Sequence, residues 1–160
     1  MKNRTTVERK SERELVVTRT VNGPARIVFE AWTKPELFKQ WWIPKSAGLT
    51  LLSCEMEVRV GGRYRLVFAH APEPMAFYGR YLEVTPCSRL VWTNEEGGDA
   101  GQVTTVTFEE EAGKTLVVLH ELHPSKEALD AAMGAYDGMG ETFEQLEELL
   151  VALGASAGRS

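Results

Sequence analysis

Between Leu15 and Val21 the chain reads Leu-Val-Val-Thr-Arg-Thr-Val, rich in β-branched residues, and it stops at Asn22-Gly23-Pro24. This predicts a strand followed at once by a helix, because proline is accommodated in a first helical turn. Ile27, Val28, Ala31 and Trp32 then fall at helical spacing, and Thr33-x-x-Glu36 has the form of a capping box that restarts the chain into a second short helix through Trp41. From Leu49 to His123 the period changes to two, punctuated by turn signals at Gly61-Gly62, Ala71-Pro72-Glu73-Pro74, Pro86, Gly97-Gly98-Asp99 and Ala112-Gly113. Six strands follow from this pattern. Their short connections predict an antiparallel meander, long and strongly curved.

One apolar face recurs along it: Leu52, Cys54, Met56, Val58 and Val60, then Tyr64, Leu66 and Phe68, then Leu90 and Trp92, then Val106 and Phe108. Between Met75 and Val84 both faces are apolar, with Phe77 and Tyr81 on one side and Tyr78, Leu82 and Val84 on the other, so the register there stays open. Pro124-Ser125 ends the last strand, with Ser125 as N-cap of a long helix to about Leu153. Leu129, Met133, Tyr136, Met139, Phe143, Leu146, Leu150 and Leu153 form its apolar stripe, which must face the sheet, while Glu144, Glu147 and Glu148 lie largely off it. Gly134, Gly138 and Gly140 weaken the helix by up to about 1 kcal/mol each, which points to close packing or to room beside it. Residues 1–13 are polar and read as a disordered or frayed extension, 14–153 as a single domain, and 154–160 as a flexible tail.

Composition sharpens this picture in a few places. At 160 residues, 43% hydrophobic and 26% charged, the chain is one globular domain with a sizeable core. A net charge of −5 lacks the basic footprint of a nucleic-acid binder. Two cysteines, Cys54 and Cys87, outside any regular framework fit a reducing compartment. No secretory signal or membrane-spanning run is present, so the expectation is a cytoplasmic protein.

The order strand, two short helices, six-stranded meander and long C-terminal helix resembles the α+β helix-grip fold of the START-like, or SRPBCC, superfamily. That fold is a curved antiparallel sheet of about seven strands wrapped around the last helix. Trp41-Trp42-Ile43-Pro44, the hairpin Glu57-Val58-Arg59-Val60-Gly61-Gly62-Arg63-Tyr64, and Gly79-Arg80-Tyr81-Leu82-Glu83-Val84 followed by Arg89-Leu90-Val91-Trp92-Thr93 narrow the resemblance. With Gly138-Met139-Gly140-Glu141-Thr142 and Gln145-Leu146-Glu147-Glu148-Leu149-Leu150, they are similar to bacterial proteins grouped with the C-terminal domain of the activator of heat-shock-protein-90 ATPase. Many such proteins carry a tryptophan in the last helix near Gly140, where this chain continues with Glu141.

The resemblance implies a cavity between sheet and helix. Its expected lining is Tyr64, Leu66, Phe68, Trp92, Phe108, Met133 and Phe143, with the Tyr64 hydroxyl, the Trp92 indole N–H, His120 and, if its face turns inward, Arg80 as polar anchors. The same apolar residues also suit a plain packed core. Trp41 and Trp42 read either as a plug closing one end or as one plug plus one exposed indole.

His120 and His123, three apart on a strand, face opposite ways and cannot share a metal ion, and His70 lies on a separate strand end. No nucleophile elbow, P-loop or dinucleotide fingerprint occurs, so no cofactor is expected. Acid–base chemistry by Glu55, Glu83 or Glu121 beside His120 stays open.

Three functions follow: binding of a small hydrophobic molecule such as a lipid, aromatic metabolite or polyketide; interaction with a heat-shock-protein-90 chaperone; or a small cyclase or dehydratase. A sheet edge or exposed tryptophan also offers a surface for a homodimer.

Overall fold

Alternation along Glu14–Asn22 puts Leu15, Val17, Arg19 and Val21 on one buried face, and this strand anchors one half of the sheet. The computed structural model describes residues 5–42, 50–69, 73, 75–94, 102–133 and 139–153. Along the chain run β1 (Thr6–Arg9), β2 (Glu14–Asn22), α1 (Ala25–Thr33), α2 (Pro35–Phe38), β3 (Leu51–Met56) and β4 (Arg63–Phe68). They are followed by β5 (Met75–Thr85), β6 (Arg89–Asn94), β7 (Gln102–Glu111), β8 (Lys114–Leu122), α3 (Lys126–Ala132) and α4 (Met139–Ala152). One eight-stranded sheet results, ordered β1-β2-β8-β7-β6-β5-β4-β3 and antiparallel throughout. Its meander closes by pairing β8 with β2, and α4 packs on β2 and α1.

The fold is the expected α+β arrangement, with local differences that have physical causes. The sheet has one strand more than expected, because Thr6–Arg9, in the segment read as frayed, pairs with β2 and Arg9 bonds to Asp130 of α3 at 2.8 Å. The capping box does not form. Thr33 ends α1 and its hydroxyl donates back to the Phe29 carbonyl, so α2 starts instead at Pro35, whose fixed φ suits a first helical position. The backbone N–H of Ala25, an orphan donor at the start of α1, is satisfied by the Glu110 carboxylate from β7. Ser125 does cap α3, accepting from Ala128 N–H.

In β3 a register shift between Leu51 and Ser53 turns Leu52 outward, 56% exposed, and leaves Leu51, Cys54 and Met56 against the core. Val60, also expected inward, sits in the exposed turn that joins β3 to β4. That turn needs Gly62, where a Cβ would lie 2.0 Å from the Glu57 carbonyl oxygen.

The open register of β5 resolves through pairing. Tyr64 faces Gly79 and Leu66 faces Phe77, which places Phe77 and Tyr81 inward and Tyr78 and Leu82 outward. An irregularity between Tyr81 and Glu83 then returns Val84 to the inner side opposite Leu90. Leu129, Phe143, Leu146 and Leu150 of the C-terminal stripe are fully buried, whereas Leu153 is exposed. Tyr136, Gly134 and Gly138 lie outside the described residues, as do His70 and the Ile43-Pro44 and Gly97-Gly98-Asp99 segments.

At Gly79 the backbone of β5 lies close to that of β6. A Cβ there would stand 1.9 Å from the Thr93 carbonyl oxygen, an atom of the backbone that cannot swing aside. Gly79→Ala is therefore expected to cost about 1–3 kcal/mol by forcing the strands apart. The urea midpoint measures this, and an unchanged midpoint would contradict the close approach.

Candidate functional site

The concave face is built from cross-strand rows. Leu90, Val106, Leu119 and Val17 pair in sequence across β6, β7, β8 and β2, and all four are buried. One pair further along each strand comes the row Trp92, Thr104, Glu121, Leu15. Over these rows lies an aromatic cluster centred on Trp32. Its ring centroid stands 4.8 Å from Trp41, 5.6 Å from Trp42, 6.0 Å from Trp92 and from Phe108, and 6.4 Å from Phe143. Trp41 is the plug foreseen for one of the tryptophan pair, fully buried with its indole N–H donating to the Ala31 carbonyl at 2.9 Å. Gln145 of α4 fixes the same residue by donating to its carbonyl. Trp42 is half-buried and stacks on Phe38. Among the described residues the buried Trp32 indole nitrogen has no hydrogen-bond acceptor, a costly condition for a donor.

Of the expected lining, Tyr64, Leu66, Phe68, Phe108 and Phe143 are buried and face inward, and Trp92 and Met133 are half-buried against the same core. Two expected anchors are elsewhere. Arg80 is exposed on the outer side of β5, since its neighbours Gly79 and Tyr81 take the inner positions. His120 is also on the outer face, where its Nε2 lies 2.9 Å from a Glu14 carboxylate oxygen; this hydrogen bond, with one from Ser11, holds the Glu14 carboxyl below its ordinary range. The Tyr64 hydroxyl is engaged, donating to the Thr93 carbonyl at 2.6 Å beside the Asn94 amide oxygen. Tyr81, expected only as one side of an ambiguous strand, is buried and its phenol is pushed well above the usual range by desolvation.

The interior carries polar groups that the expected lining lacks. Glu121 and His123 continue the inward phase of Val117 and Leu119, with His123 Nε2 and Glu121 Oε1 3.7 Å apart. The Thr104 hydroxyl, on β7 opposite Glu121, lies 3.5 Å from Oε2. Glu121 thus stands beside His123 and not beside His120. Its inward phase was the available signal. Glu55 is exposed and Glu83 bonds Arg89 at 3.1 Å on the surface, so neither joins Glu121.

A second hidden charge is Arg19, inward on β2 in phase with Leu15 and Val17 and bonded to Glu147 of α4 at 3.1 Å. Glu147, expected largely off the buried stripe, is this partner.

Elsewhere, a pocket of about 580 Å³ is lined in part by the exposed Glu55, Glu57, Arg63, Arg65 and Tyr78, a charged setting unlike the apolar hollow expected. Cys54 is half-buried, and desolvation raises its thiol pKa. Cys87 is exposed on the β5–β6 turn at φ +63°. Among the described residues no group of three or more His, Cys, Asp or Glu is placed to hold a metal, and no helix is long and apolar enough to cross a membrane.

Known structures share this arrangement. A protein of Nitrosomonas europaea is 27% identical over 89% of this chain and 97% of its own, with a TM-score of 0.78. One from Staphylococcus epidermidis, solved by NMR, is 29% identical over 92% of this chain and 94% of its own, with a TM-score of 0.76. A Rhodobacter sphaeroides protein, at 21% identity, shows the fold alone, with a TM-score of 0.83 over 93% of this chain and 99% of its own. No curated protein matches the sequence. The family described as Activator of Hsp90 ATPase homolog 1-like protein matches residues 22–151, from the end of β2 to the last turn of α4. The chain belongs to that family.

Proposed function

We propose that the protein binds a hydrophobic small molecule between the concave face of the sheet and its C-terminal helices. The observation that carries this reading is the half-burial of Trp92. It faces inward, packs on Trp32 and Tyr81 with centroids 6.0 and 6.3 Å away, and still keeps accessible surface. Met56, Phe77, Met133 and Met139 share this condition, packed against the core and yet only partly buried. Leaving inward apolar area uncovered forgoes about 25 cal/mol per Å², which a guest recovers on entering.

Native mass spectrometry of the purified protein is expected to retain a small molecule. Medium-chain fatty acids and fused-ring aromatics at about a hundred times their Kd should raise Tm by about 5–10 °C. A flat thermal response to both classes, with no retained mass, would end the proposal.

The family match favours a second reading, in which the chain acts on a heat-shock-protein-90 chaperone. Stimulated ATP turnover by the chaperone of the same organism would support it, and unchanged turnover would remove it.

A further inference from the structure

We infer that the Tyr81 hydroxyl is the polar anchor of this binding site, and that it selects a flat, neutral aromatic ligand carrying a carbonyl group. The inference rests on the hydrophobic-ligand reading and goes further, by naming which ligands are preferred and which residue chooses them.

Tyr81 and Trp92 are direct partners across β5 and β6, both turned inward, with ring centroids 6.3 Å apart. The tyrosine is only 4% exposed. Its ring packs on those of Tyr64 and Trp92, yet among the described residues its hydroxyl has no hydrogen-bond partner, and neither has the Trp92 indole N–H. A hydroxyl withdrawn this far from water normally finds a partner within the fold. The side-chain atoms that are unpartnered and wholly shut off among the described residues are Arg19 Nε and Trp32 Nε1. The Tyr81 hydroxyl and the Trp92 N–H are not of that kind, so each retains surface that a guest can reach. Beside them on the inner face stand Met56 and Phe77, packed against the core and half-buried.

These two groups set the chemistry of the guest. An indole N–H can only donate, and burial holds the Tyr81 phenol so far above its usual range that it keeps its proton at neutral pH. What answers two donors is an acceptor, and a carbonyl oxygen brings two lone pairs. A carboxylate would also accept, but the desolvation that keeps the phenol neutral opposes a buried anion, so a ketone suits the site better. The rings of Trp92, Tyr81 and Phe77 favour a flat aromatic body for the rest of the ligand.

The test compares 2-acetylnaphthalene with 2-isopropenylnaphthalene by isothermal titration calorimetry on the native chain. The alkene has the same shape, with a CH₂ in place of the carbonyl oxygen; it is more hydrophobic and accepts no hydrogen bond from an N–H or O–H of ordinary strength. The ketone is expected to bind about tenfold more tightly, and 2-naphthoate more weakly than the ketone. In Tyr81→Phe the ketone's advantage should fall to about threefold or less. The urea midpoint of that variant should not fall, because the hydroxyl has no partner in the fold to lose.

Equal affinities in the native chain, or tighter binding of the alkene, would overturn the polar anchor and leave hydrophobic binding standing. Tighter binding of the naphthoate would overturn the preference for a neutral ligand. If none of the three binds while fatty acids do, the aromatic ketone assignment falls alone. If nothing binds, both readings fall together. A full preference retained in Tyr81→Phe would place the donor on another residue, and a lowered midpoint would show the hydroxyl bonded within the fold; either overturns the assignment.

Discussion

Replacing Glu147 by leucine is expected to destabilise the protein by about 3–5 kcal/mol, more than an ordinary surface charge change. The Arg19 side chain is 3% exposed, and its guanidinium holds Glu147 at 3.1 Å and the Thr5 hydroxyl at 2.8 Å, while its buried Nε has no acceptor among the described residues. Arginine cannot shed its proton to escape the interior, so removing the carboxylate strands a full charge between β2 and α4. For a chain of this size the loss corresponds to a fall in Tm of about 6–20 °C. The double variant Arg19→Met, Glu147→Leu should return close to wild type, because it removes the charge together with its partner. Urea unfolding of the three proteins decides the matter. A single variant with an unchanged midpoint would mean that Arg19 reaches water, contrary to its burial.

The second large effect is expected at Trp32. This indole is buried and touches rings from α2, the following turn, β6, β7 and α4, so its removal opens a cavity bordered by every layer of the fold. Trp32→Ala should cost about 3–5 kcal/mol and erase much of the near-ultraviolet circular dichroism. Trp32→Phe should cost less than half as much, since it keeps most of the volume and deletes an N–H that has no acceptor among the described residues. If alanine costs under about 1 kcal/mol, the cluster is not a packed core.

Periodicity made most of the architecture legible. Six strands between Leu49 and His123, the strand before them and the apolar helix stripe all follow from residues whose burial their neighbours reinforce. What escaped is what periodicity cannot weigh. The step at Leu51–Ser53 exchanges the faces of adjacent residues without altering the composition of the strand, so Leu52 was assigned inward. Thr6–Arg9 carries no buried side chain, and its place in the sheet comes from backbone pairing alone.

For the site, the apolar wall was visible because aromatic residues announce themselves, but the charged interior was not. Arg19 and Glu121 sit in phase with valines and leucines, and a phase argument applied without regard to polarity would have found both. The expectation for His120 failed by one step of alternation. Its outer partner Glu14 comes from β2, a strand more than a hundred residues away.

The two thiols lend themselves to selective chemistry. Cys54, half-buried and with its pKa raised, supplies little thiolate at neutral pH, whereas Cys87 stands exposed on a tight turn at the end of β6 away from Trp92. A maleimide reagent should accordingly label the chain once. A dye or surface tether attached there gives every molecule the same single point of attachment while leaving the aromatic interior untouched.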